Sequence, residues 1–270
     1  MKHPRRQFLL TLGHLSVAAC ARQVAAPAGH PEPQSRAPSP ALPPTQAPAP
    51  LSPAPAAAPV SLITVDLTHD VVCPWCRIGH HNLRTALQQL VGAKVAVRLH
   101  PFLLDPSAPP EGVDLRQHLA ERYGAANIEK MFDRVTATGK QYGLHFDFAK
   151  IRTMADTSLA HTLLAAAPAE RQEQLLDALH KAHFEEGMNP GDSAALLAVW
   201  LGVGLDKAAG EAALGNKAAV QATRQQALAA AQRKLGGVPH FELAGPAGKK
   251  SLHGGQPPEV MLAALRAVLG

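Results

Sequence analysis

The sequence has 270 residues, of which 46% are hydrophobic and 17% charged, so it can build one domain with a large buried core. It contains no run of 18 or more apolar residues, which excludes a polytopic membrane protein. The net charge of +5 falls to +2 once Lys2, Arg5 and Arg6 are set aside, and no basic stripe is interleaved with aromatic residues. This composition argues against nucleic acid as a partner.

The first 20 residues have the layout of an export signal. A basic start precedes a short apolar stretch and small residues before Cys20. The segment Arg5–Leu9 resembles a twin-arginine export motif, and Val17–Cys20 resembles a bacterial lipobox. We predict that residues 1–19 are a signal peptide and that lipid on Cys20 anchors the protein to a membrane on the periplasmic or cell-envelope side. The alternative is a plain secretory signal in which Cys20 has no function.

A Pro/Ala-rich segment follows the signal. In residues 21–60, 24 of the 40 positions are Pro or Ala. Such a segment has too little bulky apolar surface to offset the entropy of ordering. We therefore predict that residues 20–58 are a disordered tether and that residues 59–270 form the folded domain.

Two cysteines stand at a predicted junction between a strand and a helix. Residues 60–67 alternate as a strand does, and the apolar residues after Cys76 have helical spacing. Cys73 then falls at the helix N-terminus, where free N–H groups stabilise a thiolate, and Pro74 takes an early helical position. Cys76 lies one turn further on. In an exported protein such a pair indicates a redox or metal site, and this placement makes Cys73 the attacking and Cys76 the resolving sulfur.

The remainder is predicted to be a helical block between two pieces of sheet. A second strand is expected at residues 94–102, and the sheet resumes at residues 239–243 and 250–253. The expected helices are Asp114–Tyr123, Ile128–Tyr142, Thr157–Ala166, Arg171–Glu186, Ser193–Leu205, Lys217–Leu235 and Pro257–Leu269. The order is β-α-β, helices, then β-β-α. It predicts an α/β thioredoxin-like fold with a helical insertion at about residues 105–233.

Several segments resemble the DsbA family of thiol–disulfide oxidoreductases, specifically its FrnE-like branch. They follow one another in the family's order over about 200 residues. These segments are residues 70–79 (DVVCPWCRIG), 100–104 (HPFLL), 157–161 (TSLAH), 182–187 (AHFEEG), 236–241 (GGVPHF) and 254–257 (GGQP). The resemblance implies an enzyme without a cofactor that exchanges disulfides with exported proteins through a mixed disulfide. Its redox partner would be a protein or a small thiol.

The resemblance also assigns roles around the cysteine pair. It implies a redox-active disulfide between Cys73 and Cys76, and a cis Val238–Pro239 bond facing it, with Pro239 part of the catalytic site. The Val238 backbone would pair with an extended substrate. Trp75 is either an exposed substrate platform or a ring folded onto the insertion.

Other readings of the same residues stay open. A glutathione-dependent isomerase or transferase of the 2-hydroxychromene-2-carboxylate isomerase or kappa type has a similar layout, although those proteins usually have Ser at the position of Cys73. A lipid-tethered module that binds Zn²⁺ or Cu(I) is a non-enzymatic alternative, with the two cysteines as ligands. Further candidates are His69, His80 and His81 as metal ligands, Asp66 and Asp70 as proton acceptors near Cys76, and Phe146, Phe148 and Phe184 as the lining of a groove.

Overall fold

The computed structural model describes residues 61–270. In chain order the elements are β1 (Ser61–His69), α1 (Pro74–Gln88), β2 (Ala93–Pro101), β3 (Val113–Asp114), α2 (Leu115–Tyr123), α3 (Ala125–Gln141), β4 (Thr153–Met154), α4 (Ser158–Ala166), α5 (Ala169–Glu186), α6 (Ser193–Gly202), α7 (Lys207–Gly215), α8 (Lys217–Gln232), β5 (His240–Gly245), β6 (Gly248–His253) and α9 (Pro258–Leu269).

Strand β1 lies at the centre of a four-stranded mixed sheet with the order β2-β1-β5-β6. β1 runs parallel to β2 and antiparallel to β5, and β5 runs antiparallel to β6. The side chains of β1 alternate as the sequence predicts: Ile63, Val65 and Leu67 are fully buried, whereas Thr64 and Asp66 between them are half-buried. The predicted α/β thioredoxin-like fold with a helical insertion is confirmed.

The buried side of the sheet packs against helices α1 and α9. Its core joins β1 and β5 to Leu83 of α1 and to Met261 and Leu265 of α9, all of which are fully buried. The insertion has a separate core in which Leu163, Leu175 and Trp200 pack together. Val71 and Val72, from the turn between β1 and α1, reach into that second core, so the turn that carries the cysteines is held by the insertion as well as by the sheet.

The insertion contains elements that the sequence pattern did not predict. Helix α7 was missed because its sequence, KAAGEAALG, has almost no bulky apolar residues. Asp206 is its N-cap residue and accepts the Ala209 N–H with its carboxylate, and the helix approaches Trp200 closely at Gly210. A Cβ at Gly210 would lie 2.7 Å from Trp200 Cδ1, so only glycine permits this contact. The two-residue strands β3 and β4 are too short for an alternating pattern to be visible.

Several predictions concern residues outside the described range. The signal peptide at residues 1–19, the lipid on Cys20 and the tether at residues 20–58 all belong to this group. Within residues 61–270, none of the helices has both the length and the hydropathy that a membrane span requires.

Candidate active site

Cys73 occupies the N-cap position of α1, as the sequence predicts. Its backbone is extended (φ −85°, ψ 114°), and Pro74 is the first helical residue. The Cys73 carbonyl accepts hydrogen bonds from the N–H groups of Cys76 (3.0 Å) and Arg77 (3.2 Å), so the first turn of α1 joins the two cysteines. Cys73 therefore lies at the positive end of the helix dipole.

Cys76 is the more deeply enclosed of the two sulfurs. Cys73 is 4% exposed, whereas Cys76 has no exposed surface. Burial raises the pKa of the Cys76 thiol well above its ordinary value, and the hydrogen bond with Cys73 and the charge of that residue raise it further. At neutral pH Cys76 therefore holds its proton until a nearby group accepts it.

The loop before β5 faces Cys73. The Val238–Pro239 peptide bond is cis, which confirms that expectation. The Cys73 Sγ lies 3.7 Å from the Val238 carbonyl oxygen, to which the thiol donates. Pro239 lies against α1, because a Cβ built on Gly79 would come 2.9 Å from the Pro239 Cγ. The loop thus contacts α1 at both Cys73 and Gly79.

A cavity of about 480 Å³ opens beside the cysteine pair and is lined mainly by apolar side chains. Trp75 and Val238 line it on one side, and Phe148 and Phe184 of the insertion line the other. Phe146, the third predicted groove residue, is not among the lining residues and packs behind Phe148 at 5.9 Å between ring centroids. The indole of Trp75 is half-buried against the insertion and also borders the cavity, and its role as a substrate platform stays a prediction.

Arg77 ties the redox helix to the insertion, a role that the sequence did not reveal. Its buried guanidinium donates to the His145 carbonyl at 2.5 Å, forms an ion pair with Glu185, and lies 4.9 Å over the Phe146 ring. Burial lowers the pKa of Arg77, and the hydrogen bond and charge of Glu185 partly offset this shift. The only sequence signal for this role is its position immediately after the Cys-Pro-Trp-Cys motif.

The two candidate proton acceptors are in different environments. Asp66 forms an ion pair with Arg98 (2.5 Å) and contacts His100 (2.6 Å). Burial would raise the pKa of Asp66, but these two partners lower it overall. Asp70 is only 1% exposed, and its carbonyl accepts the Cys73 N–H at 3.1 Å, which places it at the turn that carries both cysteines. Its charge also contributes to the raised pKa of the Cys76 thiol. Asp66 is thus engaged by Arg98 and His100, whereas Asp70 lies at the cysteine turn, and the role of proton acceptor for Cys76 stays a prediction.

The Asp70 side chain is held firmly at the turn before α1. Its Oδ2 accepts the Leu104 N–H at 2.7 Å, its Oδ1 accepts the Val72 N–H at 3.4 Å, and Oδ1 lies 3.6 Å from Nε2 of His161. Asp70 therefore links the cysteine turn to helix α4.

Five histidines are buried around this turn, and we call them the buried histidine cluster. Each is at most 4% exposed: His69, His80, His161, His180 and His183. Burial lowers the pKa of His69 and of His180 well below the ordinary value, and neighbouring histidines lower both further. The sequence indicates His69 and His80 only as candidate metal ligands and assigns no role to the other three histidines.

The predicted metal ligands do not converge on the cysteines. His80 is directed at Glu173 (3.4 Å) and Asp177 (3.2 Å), and His81 lies on the half-buried side of α1. Among residues 61–270, no group of three or more His, Cys, Asp or Glu side chains is arranged to hold a metal ion.

Comparisons with known proteins agree with the family resemblance seen in the sequence. The family model of the DsbA-like thioredoxin domain matches residues 64–266. Among solved structures, a probable DsbA oxidoreductase from Streptomyces coelicolor is 28% identical with a TM-score of 0.66, over 76% of this chain and 89% of that chain. A putative protein disulfide isomerase from Nitrosomonas europaea is 16% identical with a TM-score of 0.59, over 77% and 96%.

A cytosolic disulfide reductase from Pseudomonas aeruginosa is 21% identical, with a TM-score of 0.56 over 75% of this chain and 97% of that chain. At 16% and 21% identity, the last two similarities concern the fold alone. No curated protein matched the chain significantly.

Proposed function

The chain belongs to the family of DsbA-like thioredoxin domains, and on that ground we propose that this DsbA-like thiol–disulfide oxidoreductase exchanges disulfides with exported proteins through a mixed disulfide at Cys73. The observation that carries the proposal is the position of Cys73. It caps α1 beside the Val238–Pro239 loop, with the more buried Cys76 one turn behind it. We assign the chain to the FrnE-like branch, whose motif residues it shares.

In the proposed reaction Cys73 is the nucleophile. Its thiolate attacks a client disulfide, a Cys73–client S–S bond forms, and the client's other sulfur leaves as a thiolate that takes up a proton. Cys76 then attacks the Cys73 sulfur, the Cys73–client bond breaks, and the second client sulfur leaves with the electron pair. The client is reduced and the Cys73–Cys76 pair is oxidised. The same steps in reverse oxidise a client dithiol. The redox partner that returns the Cys73–Cys76 pair to its starting oxidation state is a protein or a small thiol.

The Cys76 proton needs an acceptor, and we assign that role to Asp70. Cys76 has no contact with solvent, and burial favours its protonated form. The Asp70 side chain is 1% exposed, and its backbone carbonyl accepts the Cys73 N–H at 3.1 Å, so this carboxyl group lies at the turn that carries both cysteines. Accepting the proton from Cys76 produces the thiolate that attacks, and donating it back neutralises Cys76 when that sulfur leaves.

The surroundings of Cys73 favour an extended client with a bulky apolar side chain near its cysteine. The Val238 backbone lies within 3.7 Å of the Cys73 sulfur, so a segment that reaches this sulfur can pair with that backbone. The 480 Å³ cavity next to Trp75 is large enough for such a side chain and is mainly apolar. Val238 and Trp75 are therefore our substrate-binding residues, and Pro239 closes the loop against α1.

The predicted export signal supplies the cellular context of the proposal. Export by a twin-arginine-type signal and lipid on Cys20 would place the domain at the cell envelope on a tether. Its clients would then be exported proteins that carry thiols or disulfides.

The test is the redox chemistry of cysteine variants. We expect Cys73→Ala to abolish oxidoreductase activity on a disulfide-bonded peptide, and Cys76→Ala to accumulate the mixed disulfide at Cys73. At neutral pH, alkylation of the reduced wild type should modify Cys73 before Cys76. Full activity of Cys73→Ala, or faster alkylation of Cys76, would contradict the assigned roles. Titration of the pair against a glutathione buffer gives its reduction potential and hence the direction in which it works.

A further inference from the structure

The proposed reaction moves a proton at an atom that solvent does not reach. Cys76 is fully buried, and its proposed proton acceptor, Asp70, is 1% exposed. A carboxylate that takes this proton must lose it again in each cycle. General acid–base catalysis by a buried group therefore requires a route between that group and water.

The first step of such a route is His161 on helix α4. Its Nε2 lies 3.6 Å from the Asp70 Oδ1 and has no hydrogen-bond partner among the described residues. The imidazole is 3% exposed. A buried ring nitrogen that faces a carboxylate without another partner is placed to exchange a proton with it.

The second step is His69 at the end of β1. Its ring centroid is 5.0 Å from that of His161, and neither of its ring nitrogens has a hydrogen-bond partner within residues 61–270. Burial lowers the pKa of His69, which disfavours a stable imidazolium. A neutral imidazole still conducts a proton, because it can accept a proton on one nitrogen while it releases one from the other.

The third step is a small polar cavity. His69 and His161 both line a cavity of about 140 Å³ together with Thr223, Gln172, Gln226 and Ala165. The cavity has room for several water molecules and supplies the polar partners that they need. Ala165 and Gln226 are exposed, so its rim reaches the surface. This cavity is distinct from the 480 Å³ cavity, which borders Cys73.

We propose that His161, His69 and this polar cavity form the proton route between Asp70 and solvent, and that His161 and His69 thereby control the rate at which Cys76 reacts. The inference rests on the proposed function. When Cys76 attacks the mixed disulfide, its proton passes to the Asp70 carboxylate and then to His161 Nε2. His161 passes a proton on towards His69 and cavity water. When Cys76 leaves as a thiolate, the proton returns by the same route.

The ionisable groups around this route belong to several elements. Groups that act on His69 are His161 of α4, His180 of α5, His80 of α1 and His100 of β2. Asp70 faces His161 and also acts on His183 of α5. Any pH profile contains their contributions, so the test needs a control with another member of the buried histidine cluster.

The experiment is a single-turnover reaction of the reduced protein with oxidised glutathione. Acid quench, alkylation and mass spectrometry separate the Cys73–glutathione mixed disulfide from the Cys73–Cys76 disulfide, so the two steps are timed individually. We compare wild type with His161→Gln between pH 5 and 9. The control is His180→Gln, because His180 is equally buried but does not line the polar cavity.

We expect the attack by Cys73 to be unchanged in His161→Gln and the step of Cys76 to be at least about tenfold slower at pH 7. The deficit should shrink towards pH 9, because a higher hydroxide concentration removes the proton faster during local opening of the site. A purely structural defect would slow this step equally at every pH. His69→Gln, which interrupts the route further from Asp70, should give the same pattern and serves as the second variant if His161→Gln fails to fold.

Three results would overturn the route. The first is a rate of the Cys76 step that stays within twofold of wild type in both variants. The second is an equal slowing of this step in His180→Gln. The third is a slowing that does not depend on pH. Each of these leaves the mixed disulfide at Cys73 intact, so the proposed function would survive. Absence of any mixed disulfide at Cys73 in wild type would instead contradict the proposed function itself.

Discussion

Acidification below pH 6.5 should destabilise the domain through two of its buried histidines. His69 and His180 are fully buried, and burial followed by the charges of other histidines lowers their pKa values well below 6.5. As the pH falls below 6.5, the unfolded chain takes up protons at these positions and the folded chain does not. Stability is therefore lost as the pH decreases.

The magnitude follows from the difference in proton uptake. At pH 5, 1.5 units below the ordinary histidine pKa, each histidine that stays neutral in the folded state costs about 2 kcal/mol of unfolding free energy. The two together cost about 4 kcal/mol, out of the 5–15 kcal/mol typical of a folded domain. Asp66, Asp105 and Asp147 have lowered pKa values, so their contributions are lost only as the pH falls through the range below 3.8.

The groups around His180 all disfavour its protonation. They are His80 and Arg77 of α1, His183 of α5 and His161 of α4. Glu173 and Asp177, which belong to the same helix as His180, contact His80 at 3.4 and 3.2 Å. No described carboxylate is therefore paired with His180 to offset its burial.

Urea unfolding of the reduced protein at pH 7 and pH 5 measures the effect. We expect wild type to lose at least about 4 kcal/mol between the two values, because the lowered pKa values of His81, His183 and His240 add to the effect of His69 and His180. His180→Gln, which cannot titrate at this position, should lose about 2 kcal/mol less. The comparison within each variant removes the cost of the substitution itself. A wild-type loss below about 1 kcal/mol, or an identical loss in His180→Gln, would refute the reasoning.

Two further substitutions test the loop contact and the anchor. Gly79→Ala places a Cβ 2.9 Å from the Pro239 Cγ, so we expect a net destabilisation of about 1–2 kcal/mol in urea unfolding and slower disulfide exchange. Gly202→Ala in α6, where an added Cβ meets nothing within 4 Å, is the matched control and should not destabilise the protein. Cys20→Ser should release the protein from membranes or block its processing in cell fractionation, and a variant processed and fractionated like wild type would contradict lipid anchoring.

The sequence was sufficient to predict features that depend on local pattern. The alternation of Ile63, Val65 and Leu67 predicts β1, and the proline after Cys73 fixes the start of α1. The same alternation places Asp66 on the face of β1 opposite Ile63, Val65 and Leu67, and Asp66 is half-buried there.

Features that depend on long-range packing could not be predicted. His69, His161 and His180 belong to three different elements, and no spacing in the sequence indicates that the insertion brings them together. Phe146 and Phe148 are two residues apart, yet only Phe148 lines the 480 Å³ cavity, because Arg77 and Phe184 occupy the surroundings of Phe146. These outcomes are decided by how the insertion packs on α1.

The order of the sheet has a consequence for synthesis and folding. One neighbour of the central strand, β2, follows after a single helix, but its other neighbour, β5, comes about 170 residues later in the chain. Until the whole insertion has emerged from the ribosome, β1 presents an unpaired edge that includes Ile63, Val65 and Leu67. The nascent chain therefore carries an aggregation-prone strand for most of its translation, and the sheet closes only after β5, which begins at residue 240 of 270, has been synthesised.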